Sequence, residues 1–225
     1  MNYMRGLITH ERSQKVMSAF NRLPDHHFFS NDLQPCAGDY PVLHFQQDCF
    51  QCLEEMWNTV GIDFLGMHPD CTFLTNAGIR WLTSKKERPG YIWSDKHNIF
   101  INPERWESME KACNHFLKCY EWLKKVGKGY IENPRMHPYA LEIIGIPSTQ
   151  YIHPYYFGSP QMKETHLWII GLPELKKTSK IEPPKDKRER LKWQNVWMAS
   201  PGPERKNYRS ETDYKVAEAF AQQWG

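Results

Sequence analysis

The sequence has no apolar stretch long enough to cross a bilayer, and its first residues, Met1 to Glu11, show no signal-peptide pattern. These absences predict a cytoplasmic protein, in a reducing compartment where the six cysteines remain free thiols. Cys49 and Cys52 form a C-x-x-C pair. Because no second pair follows at the spacing of a zinc site, the sequence predicts no metal.

A glycine-rich loop is also missing after the first predicted strand, where the chain reads His10-Glu11-Arg12-Ser13-Gln14. This absence disfavours a dinucleotide-binding domain or a P-loop. The formal net charge of +3 does not by itself indicate nucleic-acid binding. Residues 176–192 are nonetheless basic and interrupted by prolines, and Arg205 and Arg209 follow them. This stretch could contact a phosphate backbone, in which case both arginines would bind substrate. Alternatively, it is a solvated connection between elements.

Apolar segments that suit strands alternate with helical patterns through most of the 225 residues. Such alternation predicts an α/β domain with a mainly parallel central sheet. The predicted strands are residues 3–9, 27–30, 43–46, 62–67, 129–131 and 166–170. The predicted helices are residues 13–23, 50–60, 103–125 and 213–223, and residues 81–103 are expected to form a long loop. We expect a catalytic domain over residues 1–171, a basic segment over 172–212 that contacts nucleic acid, and a C-terminal helix over 213–225 that packs back on the domain.

Several polar residues follow directly after predicted strands. In open parallel sheets, ligands bind outside the carboxyl ends of the strands. The side chains of these residues should therefore meet at one edge of the sheet. They are Glu11, Asp32, Asp48, Cys71 and Glu132.

Cys71 and Glu132 are the two residues of this group best suited to catalysis. Pro69 stiffens the turn before Cys71 and keeps it from extending the strand, so the thiol is held at a turn. Pro134 pushes Asn133 towards an extended backbone, which turns Glu132 outward at the sheet edge. A carboxyl group beside a nucleophilic thiol can bind or protonate a ring nitrogen of a substrate. The alternatives are a buried, inert cysteine and a carboxylate that only stabilises a turn.

In combination, these segments resemble the cytosine-C5 DNA methyltransferases, and more closely the small phage-type relatives of that family. His68-Pro69-Asp70-Cys71 resembles the family's Pro-Cys nucleophile loop, and Glu132-Asn133-Pro134 resembles its Glu-Asn segment. The run from Phe157 through Gln161, Lys163 and Thr165 is similar to its Tyr-Gly-x-Pro-Gln-x-Arg-x-Arg segment. The resemblance spans most of the chain and implies a Rossmann-like fold that uses S-adenosylmethionine.

The resemblance also implies a mechanism and a set of roles. Cys71 would attack C6 of a cytosine flipped out of DNA, and Glu132 would engage N3 and the exocyclic amine. The implied catalytic residues are Cys71, Glu132 and Asn133. Asp32 would bind the ribose of the cofactor and Asp48 its adenine. The implied cofactor-binding residues are Glu11, Ser13, Asp32, Asp48 and Pro69. The implied substrate-binding residues are Gln161, Lys163 and Thr165. The protein would act as a monomer or small homo-oligomer, in the host cytoplasm if a phage encodes it.

Two features depart from the family pattern. Asp70 stands beside Cys71 where the family has proline, and an anion there should raise the pKa of the thiol unless a cation offsets it. Only about forty residues separate Gly171 from Asp213, which leaves little room for a target-recognition domain. Two alternatives therefore remain: the same chemistry on a free pyrimidine nucleotide or another nucleic acid, or a nucleic-acid-binding relative without activity.

Overall fold

The structure is a computed structural model that describes residues 3–76, 81–194 and 208–225. The strands of this part of the chain are β1 (Met4–Thr9), β2 (His26–Asp32), β3 (His44–Gln46), β4 (Phe64–Met67), β5 (Thr83–Ser84), β6 (Ile92–Ser94), β7 (Ile99–Ile101), β8 (Gly129–Pro134), β9 (Gln150–Ile152) and β10 (Thr165–Ile170). Its α-helices are α1 (Lys15–Asn21), α2 (Cys49–Thr59), α3 (Pro103–Val126), α4 (Pro138–Ile144), α5 (Lys187–Lys192) and α6 (Tyr214–Trp224). None of the helices described is long and apolar enough to cross a membrane.

Seven strands form one sheet in the order β3-β2-β1-β4-β8-β10-β9. The pairs from β3 to β8 are parallel, and only β10 runs against its neighbours β8 and β9. This is a doubly wound, Rossmann-like sheet, in which the chain order reverses between β1 and β4. The mixed α/β class and the mainly parallel sheet predicted from the sequence are confirmed, and the arrangement is consistent with a methyltransferase fold.

The central strands carry buried apolar side chains on both faces because helices cover both sides of the sheet. On one face, Ile8, Phe64 and Tyr130 pack against α1 and α6, and Phe220 and Trp224 of α6 lie against Tyr130. The other face is covered by α2, α3 and α4, which pack their apolar side chains on the sheet. The sheet residues on this second face include Leu7, Leu65, Ile131 and Trp168.

The prediction of a loop over residues 81–103 was wrong in part. This segment forms a three-stranded antiparallel sheet in the order β5-β7-β6. Its strands are only two or three residues long, and such short runs carry no readable alternation of apolar and polar residues. The sequence analysis also missed α4, α5 and β9, each of which is short.

Part of the basic segment after β10 packs against Tyr156 and against α6. The backbone N–H groups of Thr178 and Ser179 donate to the carbonyl oxygen of Tyr156, and Lys177 Nζ lies 3.7 Å from the centre of the Tyr156 ring. Gln223 of α6 exchanges two hydrogen bonds with the backbone of Lys176. Residues 176–179 are therefore held in place, whereas α5 further along lies on the surface with no buried residue.

Candidate active site

The two loops that follow β1 and β4 face each other across the point where the strand order reverses. His10 directly follows β1, His68 directly follows β4, and the backbone N–H of His68 donates to the carbonyl oxygen of Thr9. A crevice at this place in an open α/β sheet is where ligands bind. The residues of both loops are therefore the first to consider as a site.

Cys71 lies four positions beyond the end of β4, in the turn begun by Pro69. Its side chain is only partly exposed. Burial raises the pKa of the Cys71 thiol, and the carboxylate of Asp70 raises it further. Asp70 is held in the turn because its Oδ1 atom accepts a hydrogen bond from the Thr72 backbone. The effect of Asp70 on the thiol is the one expected from the sequence.

Two cations oppose that effect. Lys163, in the loop before β10, and Arg209, in the segment before α6, both lower the pKa of Cys71. Lys163 Nζ also donates to the carbonyl oxygen of Glu211 at 3.1 Å, and this bond holds the ammonium group in position. The thiol therefore sits between one anion and two cations.

Glu132 lies on β8, the strand beside β4, and the register aligns Met67 with Ile131. Its side chain is 8% exposed. One carboxylate oxygen accepts a hydrogen bond from Thr212 Oγ1 at 3.3 Å and lies 3.8 Å from His68 Nε2. Burial lowers the pKa of His68, and the nearby Glu132 acts in the opposite direction.

Asn133 connects the two loops that carry Cys71 and Glu132. Its Nδ2 atom donates to the carbonyl oxygen of Pro69 at 3.1 Å, while its buried Oδ1 atom has no hydrogen-bond partner among the described residues. The strand pairing of β4 with β8 and this side-chain bond bring Cys71, Pro69, Glu132 and Asn133 together at one edge of the sheet.

Glu11, in the loop after β1, forms hydrogen bonds with the backbone of the protein itself. Both oxygens of Glu11 accept hydrogen bonds at the start of α1, from the backbone N–H of Val16 at 2.6 Å and of Met17 at 3.2 Å. Burial raises the pKa of Glu11 to about 8, and these two hydrogen bonds oppose the rise. Ser13 lines the same small crevice, beside His68.

Asp32 is the last residue of β2, and Asp48 follows the neighbouring strand β3 at the same edge of the sheet. Asp32 Oδ1 accepts from the Gln34 backbone at 2.8 Å, and Asp48 Oδ1 accepts from Phe50 and Gln51 at the start of α2. No hydrogen bond to either Oδ2 atom is present in the described part of the chain. Each carboxylate thus keeps one oxygen for a ligand.

Residues 210–212 lie over the crevice between the two loops. Glu211 forms a 2.7 Å ion pair with Lys15 of α1, and Thr212 bonds to Glu132. The space left between these residues and the loop after β1 has a volume of only about 20 Å³. That volume holds about one water molecule.

A larger groove of about 820 Å³ opens beside this edge of the sheet, where β9 and β10 meet the chain that follows β8. Arg135, three positions beyond Glu132, lines it together with Glu164 and His166 near the start of β10. Aromatic rings form much of the remaining wall: Tyr151, His153, Tyr155, Tyr156 and Trp168.

The remaining predicted substrate residues have different environments. Lys163 lies near Cys71, as described above, and Gln161 is partly exposed in the same loop. Thr165 is buried within β10, where it pairs with Pro134 and Ile152. Arg205 lies outside the described residues, whereas Arg209 lies close enough to Cys71 to affect its pKa.

The sequence analysis did not single out His68, Tyr130 and Thr212 as part of the site. Tyr130 donates or accepts a 2.8 Å hydrogen bond with His68 Nε2, and His68 in turn approaches Glu132. A signal was present for His68, which directly precedes Pro69 at a strand end. Thr212 is brought to the site by the docking of α6, which no local pattern reveals.

No family model and no curated protein matches the sequence. Among solved structures, the chain is similar to a protein described provisionally as a DNA modification methyltransferase encoded within a prophage of E. coli, at 10% sequence identity and a TM-score of 0.46. The likeness covers 80% of this chain and 52% of that protein, so the chain spans about half the length of the protein it matches. A likeness of this degree carries no argument about activity, and the functional assignment rests on the site.

Proposed function

We propose that the protein methylates C5 of cytosine in DNA, with Cys71 as the nucleophile and S-adenosylmethionine as the methyl donor. The observation that carries the proposal is the position of Cys71 and Glu132 on adjacent strand ends, joined by the bond from Asn133 to Pro69. A nucleophilic thiol and a buried carboxyl group are the two groups that addition to a pyrimidine ring requires.

In this mechanism the Cys71 thiolate forms a bond to C6 of the cytosine ring. The π electron pair of the C5–C6 double bond shifts towards C4, and the C4–N3 pair moves to N3. Glu132 stabilises the adduct by protonating N3 and accepting a hydrogen bond from the exocyclic amine. C5 thereby becomes nucleophilic and takes the methyl group that the cofactor supplies. Loss of the C5 proton to a base then re-forms the C5–C6 double bond as the Cys71 thiolate leaves, and Glu132 takes back the proton from N3.

The charges around Cys71 support this role. The raised pKa of the thiol opposes thiolate formation, and the cations Lys163 and Arg209 act against that rise. A flipped base and its phosphates would bring further negative charge, which Lys163 and Arg209 would bind. We assign substrate contact to Lys163, Arg209, Gln161, Thr165 and Arg205.

The groove beside the site favours a nucleic acid over a free nucleotide. A cavity of about 820 Å³ lined by aromatic rings and by Arg135 offers stacking surfaces for bases beyond the one that reacts. A single nucleotide needs no surface of this extent. We therefore propose DNA as the substrate, with the target cytosine turned out of the stack.

The residues at the carboxyl ends of β2 and β3 fit part of the cofactor. Asp32 and Asp48 each keep an acceptor oxygen, suited to ribose hydroxyls and to the adenine amine. The methionine part of the cofactor fits only after residues 210–212 move, because they reduce the space beside Glu11 and Ser13 to about 20 Å³. Asp32→Asn should weaken cofactor binding, as measured by calorimetry, and unchanged affinity would remove Asp32 from the site.

Trapping on DNA that contains 5-fluorocytosine tests the chemistry, because fluorine blocks the loss of the group at C5 and leaves the covalent adduct intact. With the cofactor present, the unmodified protein should form an adduct that resists denaturation. Cys71→Ser should form none, and Glu132→Gln should form it about 100-fold more slowly. Cys36→Ser, which changes another partly exposed free thiol, is the matched control and should react normally.

An adduct that persists in Cys71→Ser contradicts the proposed nucleophile. If the unmodified protein binds the cofactor but forms no adduct with DNA, the proposed substrate is wrong. A parallel reaction with 5-fluoro-dCMP then distinguishes a free nucleotide as the substrate from an inactive relative that binds nucleic acid.

A further inference from the structure

Three potential metal ligands from separate parts of the chain meet on the face of the sheet that α2 and α3 cover. They are His10 at the end of β1, Cys49 at the start of α2 and His115 midway along α3. One ligand atom from each lies within 4.8 Å of the other two. The Nε2 atoms of His10 and His115 are 3.1 Å apart.

We propose that His10, Cys49 and His115 together bind one zinc ion, with a water molecule as the fourth ligand. Two imidazole nitrogens and one thiolate are ligands that zinc accepts in a tetrahedral site. Nitrogens bound to the same tetrahedral zinc lie roughly 3.3 Å apart, which follows from zinc–nitrogen bonds of about 2.0 Å. The separation of the two Nε2 atoms already approaches that value.

The orientation of His10 supports the assignment. Its backbone φ of 57° is in the left-handed region, which histidine occupies more often than most residues other than glycine, and its imidazole faces His115. Its Nδ1 atom lies 3.0 Å from Thr9 Oγ1. When Nδ1–H donates to that hydroxyl, the lone pair is on Nε2, the atom that faces His115. Ligating histidines in proteins are commonly held by such a bond on the other ring nitrogen.

The charges around the cluster balance a divalent ion. The Cys49 thiol loses its proton to the buffer as the sulfur–zinc bond forms, so one zinc with one thiolate retains a single positive charge. The carboxylate of Asp48, adjacent in sequence to Cys49, acts electrostatically on all three ligand residues and offsets that charge.

An ion at this position would join the loop after β1 to the helices α2 and α3. That loop also carries Glu11 and Ser13. The ion would therefore stabilise the loop that lines the crevice, whether or not the protein transfers methyl groups. The proposal is independent of the chemistry assigned to Cys71.

Cobalt(II) is the probe for the first test, because it occupies zinc sites and its bond to a thiolate produces a near-ultraviolet charge-transfer band. The full chain, freed of metal by a chelator, should bind one cobalt ion per molecule and show this band. Zinc should displace the cobalt and remove the band, and zinc added to the metal-free chain should raise the melting temperature and release about one proton per ion. A chain that binds neither ion, or binds cobalt without the thiolate band, overturns the proposal.

Variants identify the ligands. Cys49→Ser should abolish the band, and His115→Gln and His10→Asn should each weaken cobalt binding by about 100-fold or more. Asparagine suits position 10 because it tolerates a positive φ. Thr9→Val, which keeps the shape of the buried side chain but removes the hydroxyl, should weaken binding by about tenfold.

Cys113→Ser is the matched control, because Cys113 is a buried free thiol of α3 outside the cluster, and it should leave the band intact. Circular dichroism shows whether each variant is folded. A band that survives in Cys49→Ser, or tight binding that survives in a folded His115→Gln, contradicts the proposed ligand set. If Cys49→Ser does not fold, the His115→Gln variant, at a partly exposed position, and the Thr9→Val variant still test the proposed zinc site.

Discussion

The side-chain amide of Asn133 donates a hydrogen bond to the carbonyl oxygen of Pro69 at 3.1 Å, and this bond joins the loop of Cys71 to the strand of Glu132. Both groups are buried, so water does not replace the bond when it is lost. The distance between the proposed nucleophile and the proposed acid therefore depends on a residue that need not touch the substrate.

Replacing Asn133 by Ala should affect catalysis more than folding. Loss of a buried hydrogen bond costs about 1–3 kcal/mol of stability, whereas a nucleophile displaced by about 1 Å loses up to about 100-fold in rate. Urea unfolding measures the first effect and the rate of 5-fluorocytosine trapping measures the second. Asn58→Ala, on the exposed surface of α2, is the control. Trapping at the normal rate in a folded Asn133→Ala protein contradicts the positioning role.

Opposite charges act on the thiol of Cys71, and two variants should shift its pKa in opposite directions. Asp70→Asn removes an anion that raises this pKa but keeps an acceptor for the Thr72 backbone, so alkylation by iodoacetamide should reach half its maximal rate at lower pH. Lys163→Met removes a cation that lowers the pKa, and the profile should move to higher pH. Mass spectrometry of the Cys71 peptide measures both. Shifts in the same direction would show that one of the two charges does not act on the thiol as described.

The fold was predictable from the sequence where a segment had a strong apolar pattern. The strands β1, β4 and β8 and the long helix α3 were all recognised, because each buries apolar side chains over several consecutive residues or turns. The small sheet of β5, β6 and β7 was not, since two- and three-residue strands depend on pairing with each other rather than on local preference.

The meeting of Cys71 and Glu132 followed from the sequence because parallel strands bring their carboxyl ends to one edge. The cluster of His10, Cys49 and His115 did not follow. These residues are far apart in sequence, and the packing of α2 and α3 on the sheet brings them together. The same holds for Thr212, which reaches Glu132 only because α6 docks beside α1. Local patterns predict elements, whereas contacts between helices depend on the packing of the whole domain.

The buried carboxyl group of Glu11 should make stability fall as pH rises. Burial raises its pKa from the ordinary value of 4.5 to about 8 in the folded protein. Between these two values the folded state holds a proton that the unfolded state has released, so the free energy of unfolding falls by a few kcal/mol across this window. Glu11→Gln removes the titration and should flatten the dependence.

Urea unfolding of the purified protein at several pH values between about 4.5 and 8 measures the effect of Glu11. Glu54→Gln, which changes an exposed glutamate of α2, should retain the slope of the unmodified protein. An equal slope in Glu11→Gln and the unmodified protein would show that Glu11 is ionised in the folded state, with the hydrogen bonds from Val16 and Met17 outweighing burial.

Residues 210–212 should compete with the cofactor for the crevice. The ion pair of Glu211 with Lys15 and the bond from Thr212 to Glu132 hold this segment closed. A ligand that binds only the open state has an apparent affinity equal to its intrinsic affinity multiplied by the fraction of molecules that are open. Glu211→Gln removes a half-exposed ion pair of about 0.5 kcal/mol and should raise the affinity for S-adenosylmethionine about twofold.

Thr212→Val, which removes a buried hydrogen bond of about 1 kcal/mol, should raise that affinity about fivefold. Calorimetric titration measures the affinity of each variant. Glu218→Gln is the matched control, because Glu218 forms a similar ion pair with Lys215 within α6, away from the crevice, and it should bind the cofactor normally. Unchanged or weaker binding in both Glu211→Gln and Thr212→Val would mean that the cofactor does not enter beneath this segment, and that Glu11 and Ser13 lie outside its site.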